Sequence, residues 1–156
     1  MRDARYPSFM DDEGGREVAD ALGLLLRRTT RSRIYTALTA DLGEAVDETT
    51  YPVLSGLART GPRSAADLAP DVGVDRSVVT RRASRLEKAG LIRREQDTAD
   101  QRATLLVLTS RGEEVVDELR RRLAARISES LSGWPPEEAR IFARYFHRFA
   151  TGDLFT

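Results

Sequence analysis

The chain has 156 residues, 25 basic and 25 acidic side chains, and 40% hydrophobic and 32% charged content, which fits one compact domain or two small joined ones and excludes wholesale disorder. The absence of cysteine excludes disulfides, thiolate zinc sites, a cysteine nucleophile and thiol redox sensing, and a single histidine, His147, leaves little for imidazole metal sites or a histidine-centred triad. Leu22–Leu26, interrupted by Gly23, falls far short of the ~20 apolar residues of a membrane span, and the first residues lack a secretory signal's apolar core, so a cytoplasmic protein with no membrane partner is expected.

Residues 1–15, with Pro7 and the Gly14-Gly15 pair, read as a flexible arm. From Arg16 onward Val18, Leu22 and Leu25, then Ile34, Leu38 and Leu42, recur at helical steps without proline, predicting one long amphipathic helix. A loop over 43–48 precedes a short helix opened by Tyr51-Pro52, with an apolar face of Val53, Leu54, Leu57 and Ala58, ended by Gly61-Pro62. Ser64 ahead of Asp67 predicts the start of a third helix, Ala65 to Ala69, stopped by Pro70, and Gly73 marks a tight turn.

Asp75 is placed as the N-cap of a helix running to Ala89, with Gly90 where a left-handed C-terminal cap belongs. Val79, Ala83 and Leu86 form its inward stripe; Arg76, Ser77, Thr80, Arg81 and Ser84 face outward, with Arg85 and Lys88 at the margin. Short helix, tight turn and cationic second helix make a helix-turn-helix pattern. Two strands, Leu91–Glu95 and Ala103–Leu108, flank the polar loop Gln96–Arg102 as a β-hairpin wing. Thr109 caps a fifth helix with the stripe Val116, Leu119, Leu123, Ile127 and Leu131, ending at Gly133. Pro135-Pro136-Glu137-Glu138 opens a sixth, whose Phe142, Phe146 and Phe149 share one face too apolar to leave in water.

Net charge is zero, yet its distribution is uneven: from Asp75 to Arg102 eight basic residues face five acidic ones, so this segment is +3 and the remainder −3. Arginine supplies 24 of the 25 cations, and its planar fork suits phosphate and guanine, although genome composition explains the bias as easily. Taken alone, the cationic helix face fits a solvated surface equally well. Followed at once by a hairpin ending in Asp100-Gln101-Arg102, it becomes one element for a major groove and one for the adjacent minor groove.

The chain resembles the MarR (multiple antibiotic resistance regulator) family of winged-helix transcription factors from about Arg16 to the C-terminus. The resemblance rests on Ser64-Ala-Ala-Asp-Leu-Ala69, Val79-Thr80, Arg85-Leu86-Glu87-Lys88-Ala89-Gly90-Leu91-Ile92-Arg93, Asp100-Gln-Arg102, and Leu108-Thr109 with Gly112. It implies a mainly α fold with a small β-hairpin: a winged helix-turn-helix DNA-binding lobe over 49–109 and a helical dimerisation region over 16–48 and 110–156. It also implies that Arg76, Ser77, Thr80, Arg81, Ser84 and Arg85 meet the major groove, that Arg102 reaches the minor groove, and that Asp100 braces the wing through ionic contacts. The chain departs from the pattern at Arg82, where the family usually has a hydrophobic residue, and at Gln101, often arginine.

In that family the first, fifth and sixth helices intertwine with those of a second subunit, which would cover the apolar stripes; an intramolecular core is the alternative. Small aromatic or anionic effectors bind between dimer helices and DNA-binding lobe, which makes Tyr35 and Tyr51 candidate ligand contacts, against a plain core role. The expected function is a cytoplasmic, homodimeric, ligand-responsive repressor on a pseudo-palindromic operator, without cofactor or metal. The alternative is a winged-helix protein-interaction module that does not bind DNA. An enzyme would need a phosphate-binding glycine loop, nucleophile motif, metal cluster or acid–base pair, and the sequence offers none.

Overall fold

The computed structural model describes residues 12–152 and falls into two compact units, Met1–Val116 and Asp117–Thr156. In the first unit, α1 (Asp12–Leu26) and α2 (Arg28–Thr39) replace the single long helix expected from Arg16. Arg27 separates them, extended at φ −57° and ψ 135°, while its carbonyl already accepts the Arg31 N–H at 3.1 Å. The cause is the phase of the apolar residues. Leu25 and Ile34 are nine apart, and at ~100° per residue a straight helix would put them on opposite sides. One extended residue lets Val18, Leu22 and Leu25 face independently of Ile34 and Leu38. Because α1 starts at Asp12, both glycines expected in the flexible arm are helical; the rest of that arm lies outside the described residues.

After α2 the chain turns through Asp41 and Gly43, at φ 63° and 97°. Buried Thr50 ties down the loop: its hydroxyl donates to the Ala45 carbonyl at 2.8 Å and accepts the Asp47 N–H at 3.0 Å. The next helix, α3 (Tyr51–Thr60), carries Pro52 in its first turn and buries Val53, Leu54 and Leu57. A two-residue strand, β1 (Arg63–Ser64), leads into α4 (Ala65–Val72), where the Ser64 hydroxyl accepts the Asp67 N–H at 3.1 Å as the N-cap. Pro70 lies inside α4 and does not stop it. The amide it lacks would have bonded the carbonyl of Ala66, an exposed residue whose carbonyl can turn to water.

Gly73, at φ 71°, closes α4, and α5 (Arg76–Lys88) follows. Asp75 occupies the N-cap with extended backbone, but its side chain makes no cap hydrogen bond, contrary to expectation. Val79, Ala83 and Leu86 are fully buried. At the far end Gly90 takes φ 73°, and the amides of Gly90 and Leu91 bond the carbonyls of Glu87 and Leu86, both at 2.9 Å. This left-handed cap brings buried Leu91 back to Leu86. The wing strands β2 (Ile92–Gln96) and β3 (Thr104–Leu108) pair antiparallel from Ile92↔Leu108 to Gln96↔Thr104. Pairing of Arg63 with Leu106 adds β1 and gives a three-stranded sheet in the order β1-β3-β2 where a hairpin was expected.

The last long element of this unit, α6 (Ser110–Ser130), begins where the Thr109 hydroxyl accepts the Gly112 N–H at 3.1 Å and donates to the Gly90 carbonyl at 2.7 Å. In the second unit α6 continues to Ser130, and α7 (Pro136–Ala150) follows, burying none of its residues in the single chain. Its Ile141, Phe142, Tyr145, Phe146 and Phe149 are 36–54% exposed. Phe142 stacks on Phe146 with ring centroids 5.5 Å apart, and Trp134 lies 5.3 Å from Phe142. Among the described residues no helix is long and apolar enough to cross a membrane, and no group of three or more acidic or histidine side chains is placed to hold a metal.

Candidate nucleic-acid interface

The inward stripe of α5 fixes what its other faces present. With Val79, Ala83 and Leu86 in the core, Arg76, Ser77, Thr80 and Arg81 are exposed and Ser84 is half-buried. Thr80 Oγ1 donates to the Arg76 carbonyl at 2.9 Å and Ser84 Oγ to the Thr80 carbonyl at 3.0 Å, which holds both hydroxyls along the helix. The guanidinium groups of Arg76 and Arg81 have no hydrogen bond or ion pair among the described residues, so their charges face solvent uncompensated by a neighbour.

The wing tip is built by two aspartate turns. Asp97 Oδ1 accepts the Ala99 N–H at 2.8 Å, and Asp100 Oδ1 accepts the Arg102 N–H at 3.0 Å. Backbone bonds from Asp97 to Ala103 and from Ala103 to Asp100, both 2.9 Å, close the loop, and Gln96 Nε2 reaches the Gln101 carbonyl at 2.6 Å. Asp100 makes no ion pair among the described residues. The two arginines of β2 are engaged elsewhere: Arg93 bonds Glu95 at 2.7 Å and the Leu108 carbonyl at 3.2 Å, while Arg94 bonds Glu87 at 2.5 Å and Ser84 at 3.1 Å. The bracing is therefore a backbone turn, with the Arg102 guanidinium left free.

Between α5, the start of α4 and the wing lies a concavity of about 500 Å³ that brings together Arg76, Thr80, Ser84, Asp100 and Arg102 of the expected set. Ser77 and Arg81 stand outside it on the exposed face of α5. Sequence reasoning missed the contributions of Arg94 and of Ser64 to Ala66 at the α4 N-terminus. Strand parity was the available signal for Arg94, which shares a face with buried Ile92 and so points toward α5. The groove combines free guanidinium groups with a helix N-terminus, both suited to phosphate, beside a helix narrow enough for the ~12 Å major groove.

Arg85 does not join this face. Its guanidinium bonds Asp47 Oδ2 at 2.8 Å, the Glu44 carbonyl at 2.9 Å and Thr49 Oγ1 at 3.4 Å, which ties α5 to the loop before α3. Partial burial pushes the Asp47 carboxyl up, but hydrogen bonds from Thr49, Arg85 and the amides of Thr50 and Thr49 together hold it well below the usual carboxylate range. Neighbouring Glu48 faces α2 instead, where the hydroxyls of Ser32 and Thr36 lower its pKa. Tyr35 and Tyr51 are both half-buried with ring centroids 4.5 Å apart; Tyr35 lines a cleft and Tyr51 backs its ring.

The MarR family model matches residues 46–104, which takes in α3, the helix-turn-helix and most of the wing. An uncharacterised helix-turn-helix transcriptional regulator of Bacillus subtilis, YxaD, is 27% identical over 103 residues, covering 66% of this chain and 72% of its own length. Two further curated relatives from the same bacterium are matched over 58% of their lengths. The crystal structure of RV1404 from Mycobacterium tuberculosis superposes with a TM-score of 0.69 at 26% identity, over 92% of this chain and 97% of the other.

Over residues 46–104 the chain is thus similar to the MarR family. It is a transcriptional regulator with a DNA-binding winged helix. BpsR of Bordetella bronchiseptica, whose DNA binding is regulated by 6-hydroxynicotinic acid, is 25% identical with a TM-score of 0.59, over 85% of this chain and 99% of its own. In this chain Asp100 shapes the wing through the Arg102 amide with no ion pair among the described residues, and Arg82 lines the cleft beside Tyr35.

Proposed function

We propose that the protein is a homodimeric, effector-responsive repressor that binds a pseudo-palindromic operator in the cytoplasm, without catalytic activity or cofactor. Residues 49–109 are the DNA-binding lobe, and 16–48 with 110–156 the dimerisation region. The observation that carries the reading is the free guanidinium groups of Arg76 and Arg102 on opposite walls of one groove, with Arg81 beside it. Arg76, Ser77, Thr80 and Arg81 are assigned to the major groove and Arg102 to the minor groove. Ser84 orients Arg94, and Arg85 seats the helix. The regulation of BpsR by an aromatic acid supports a small aromatic or anionic effector here, with Tyr35 and Tyr51 as its contacts.

Binding to a labelled pool of random duplex DNA, with Arg102→Ala alongside, tests the reading. Enrichment of a twofold-symmetric site by the wild type and loss of affinity by Arg102→Ala are expected. No enrichment would leave a protein-interaction module as the better reading.

A further inference from the structure

Arg94 stands apart from the other arginines that line the wing groove. The guanidinium groups of Arg76 and Arg102 have no hydrogen bond or ion pair among the described residues, whereas that of Arg94 is held by α5. Its Nη1 donates to Glu87 Oε2 at 2.5 Å and its Nη2 to Ser84 Oγ at 3.1 Å, and Ser84 in turn donates to the Thr80 carbonyl at 3.0 Å. Thr80, Ser84 and Glu87 follow at steps of four and three and so run along one side of α5. Thr80 and Ser84 line the groove, and Glu87 stands just beyond its lining. The carboxylate therefore cancels a groove charge from behind, without filling the place of a phosphate. The side chains of Arg94 and Glu87 are 34% and 36% exposed, so water screens the pair and it separates at small cost.

We infer that Glu87 is a specificity-determining residue, a built-in counter-anion that withholds Arg94 from DNA until the recognition helix and the wing are both seated. The inference rests on the DNA-binding reading above and assigns a role to a residue that touches no DNA. A random duplex, held loosely by Arg76, Arg81 and Arg102, leaves the groove hydrated and Arg94 on Glu87. An operator that seats helix and wing together drives water from the groove and brings a phosphate to Arg94, which exchanges one anion for the other. Glu87 thus removes one phosphate contact from the random complex and none from the operator complex, which widens the gap between them.

The test is fluorescence anisotropy of the full chain on the operator selected above and on a random duplex of equal length, from about 50 to 200 mM salt. Glu87→Gln keeps an acceptor for Arg94 and removes only the charge. It should bind the random duplex about fivefold tighter near 0.1 M salt, with a log–log salt slope steeper by ~0.9, while operator affinity stays within about twofold and its slope is unchanged. Arg94→Ala should flatten the operator slope by ~0.9 and leave random binding as in wild type, and adding it to Glu87→Gln should abolish the gain. Melting curves of each variant check that the fold is intact. Random binding by Glu87→Gln that equals wild type at every salt concentration overturns the masking of Arg94. A gain that survives loss of Arg94 overturns the pairing as its cause. Equal gains on both duplexes overturn the role in specificity, and a loss of operator affinity in Glu87→Gln makes Glu87 a positioning residue instead. Those outcomes leave the DNA-binding reading standing; a wild type that binds neither duplex overturns that reading and this inference with it.

Discussion

At Gly112 the first turn of α6 passes so close to the end of α5 that a Cβ would sit 2.0 Å from the Leu91 carbonyl oxygen and 3.0 Å from its carbon. Both obstacles are backbone, held by the Leu91 N–H bond to Leu86 and the Thr109 N–H bond to Leu91, so relief requires moving the α5 cap or the α6 start. Gly112→Ala should therefore cost about 3 kcal/mol or more, read as a lower denaturant midpoint. Gly56→Ala is the control, since its 2.8 Å contact is to a Leu68 methyl that a rotamer change can move. Equal losses at the two glycines would contradict the close-approach argument. Asp47 makes a pH prediction. Its carboxyl is held below the ordinary value of 3.8, so the stability it contributes is complete above pH ~4 and is lost as pH falls through the lower folded value. Arg85 and Asp47 are 46% and 38% exposed, which screens the pair and limits its contribution to ~1 kcal/mol. Urea melts of wild type and Asp47→Asn should differ by about that much at pH 7 and converge below pH ~4. A gap independent of pH would show that the carboxylate charge is irrelevant.

At the scale of elements, the wing separates charge from geometry. Asp100 adds a negative charge to the groove proposed to meet DNA, yet its carboxylate oxygen accepts the amide of Arg102 and so sets where that guanidinium projects. Asp100→Ala should weaken operator binding although it removes a repulsive charge, whereas Asp100→Asn, whose amide oxygen can accept the same bond, should retain it. Filter binding at several salt concentrations decides; tighter binding by the alanine variant would mean that charge outweighs turn geometry. How much was legible in the sequence follows the range of each signal. The inward stripe of α5, the Gly90 cap and the Thr109 start of α6 depend on residues a few positions apart and were read correctly. The break at Arg27 was encoded in the phase between Leu25 and Ile34, but step counting within each half hides it. Strand β1 has two residues, too few for an alternating pattern, and its partners Leu105 and Leu106 lie far along the chain. The capture of Arg85 by Asp47, 38 residues away, left no local trace at all, which is why Arg85 read as a DNA contact.

At the scale of the whole molecule, the question is what covers α7. A helix with Ile141, Phe142, Tyr145, Phe146 and Phe149 all exposed in the single chain carries more apolar surface on one side than a monomer normally leaves in water. Its opposite positions hold Glu137, Arg140 and Arg144, so the face is amphipathic and fits a partner helix of similar character. A second copy of the chain supplies such a helix by symmetry, and a twofold pair of recognition helices would then read two half-sites about one DNA turn, ~34 Å, apart. Light scattering at micromolar concentration should therefore give twice 17.4 kDa. Phe146 lies mid-helix and stacks on Phe142, so Phe146→Asp would place a charge in the buried contact and should weaken dimerisation by about 2 kcal/mol or more, roughly thirtyfold. Because each protomer alone holds only one half-site, operator binding by Phe146→Asp should fall steeply and become concentration-dependent, while its weak binding to random DNA, set by the groove arginines, should persist. A wild type that stays folded and monomeric at that concentration, or an aspartate variant that binds the operator as well as wild type, would remove α7 from the proposed interface and leave the proposed operator symmetry without a structural source.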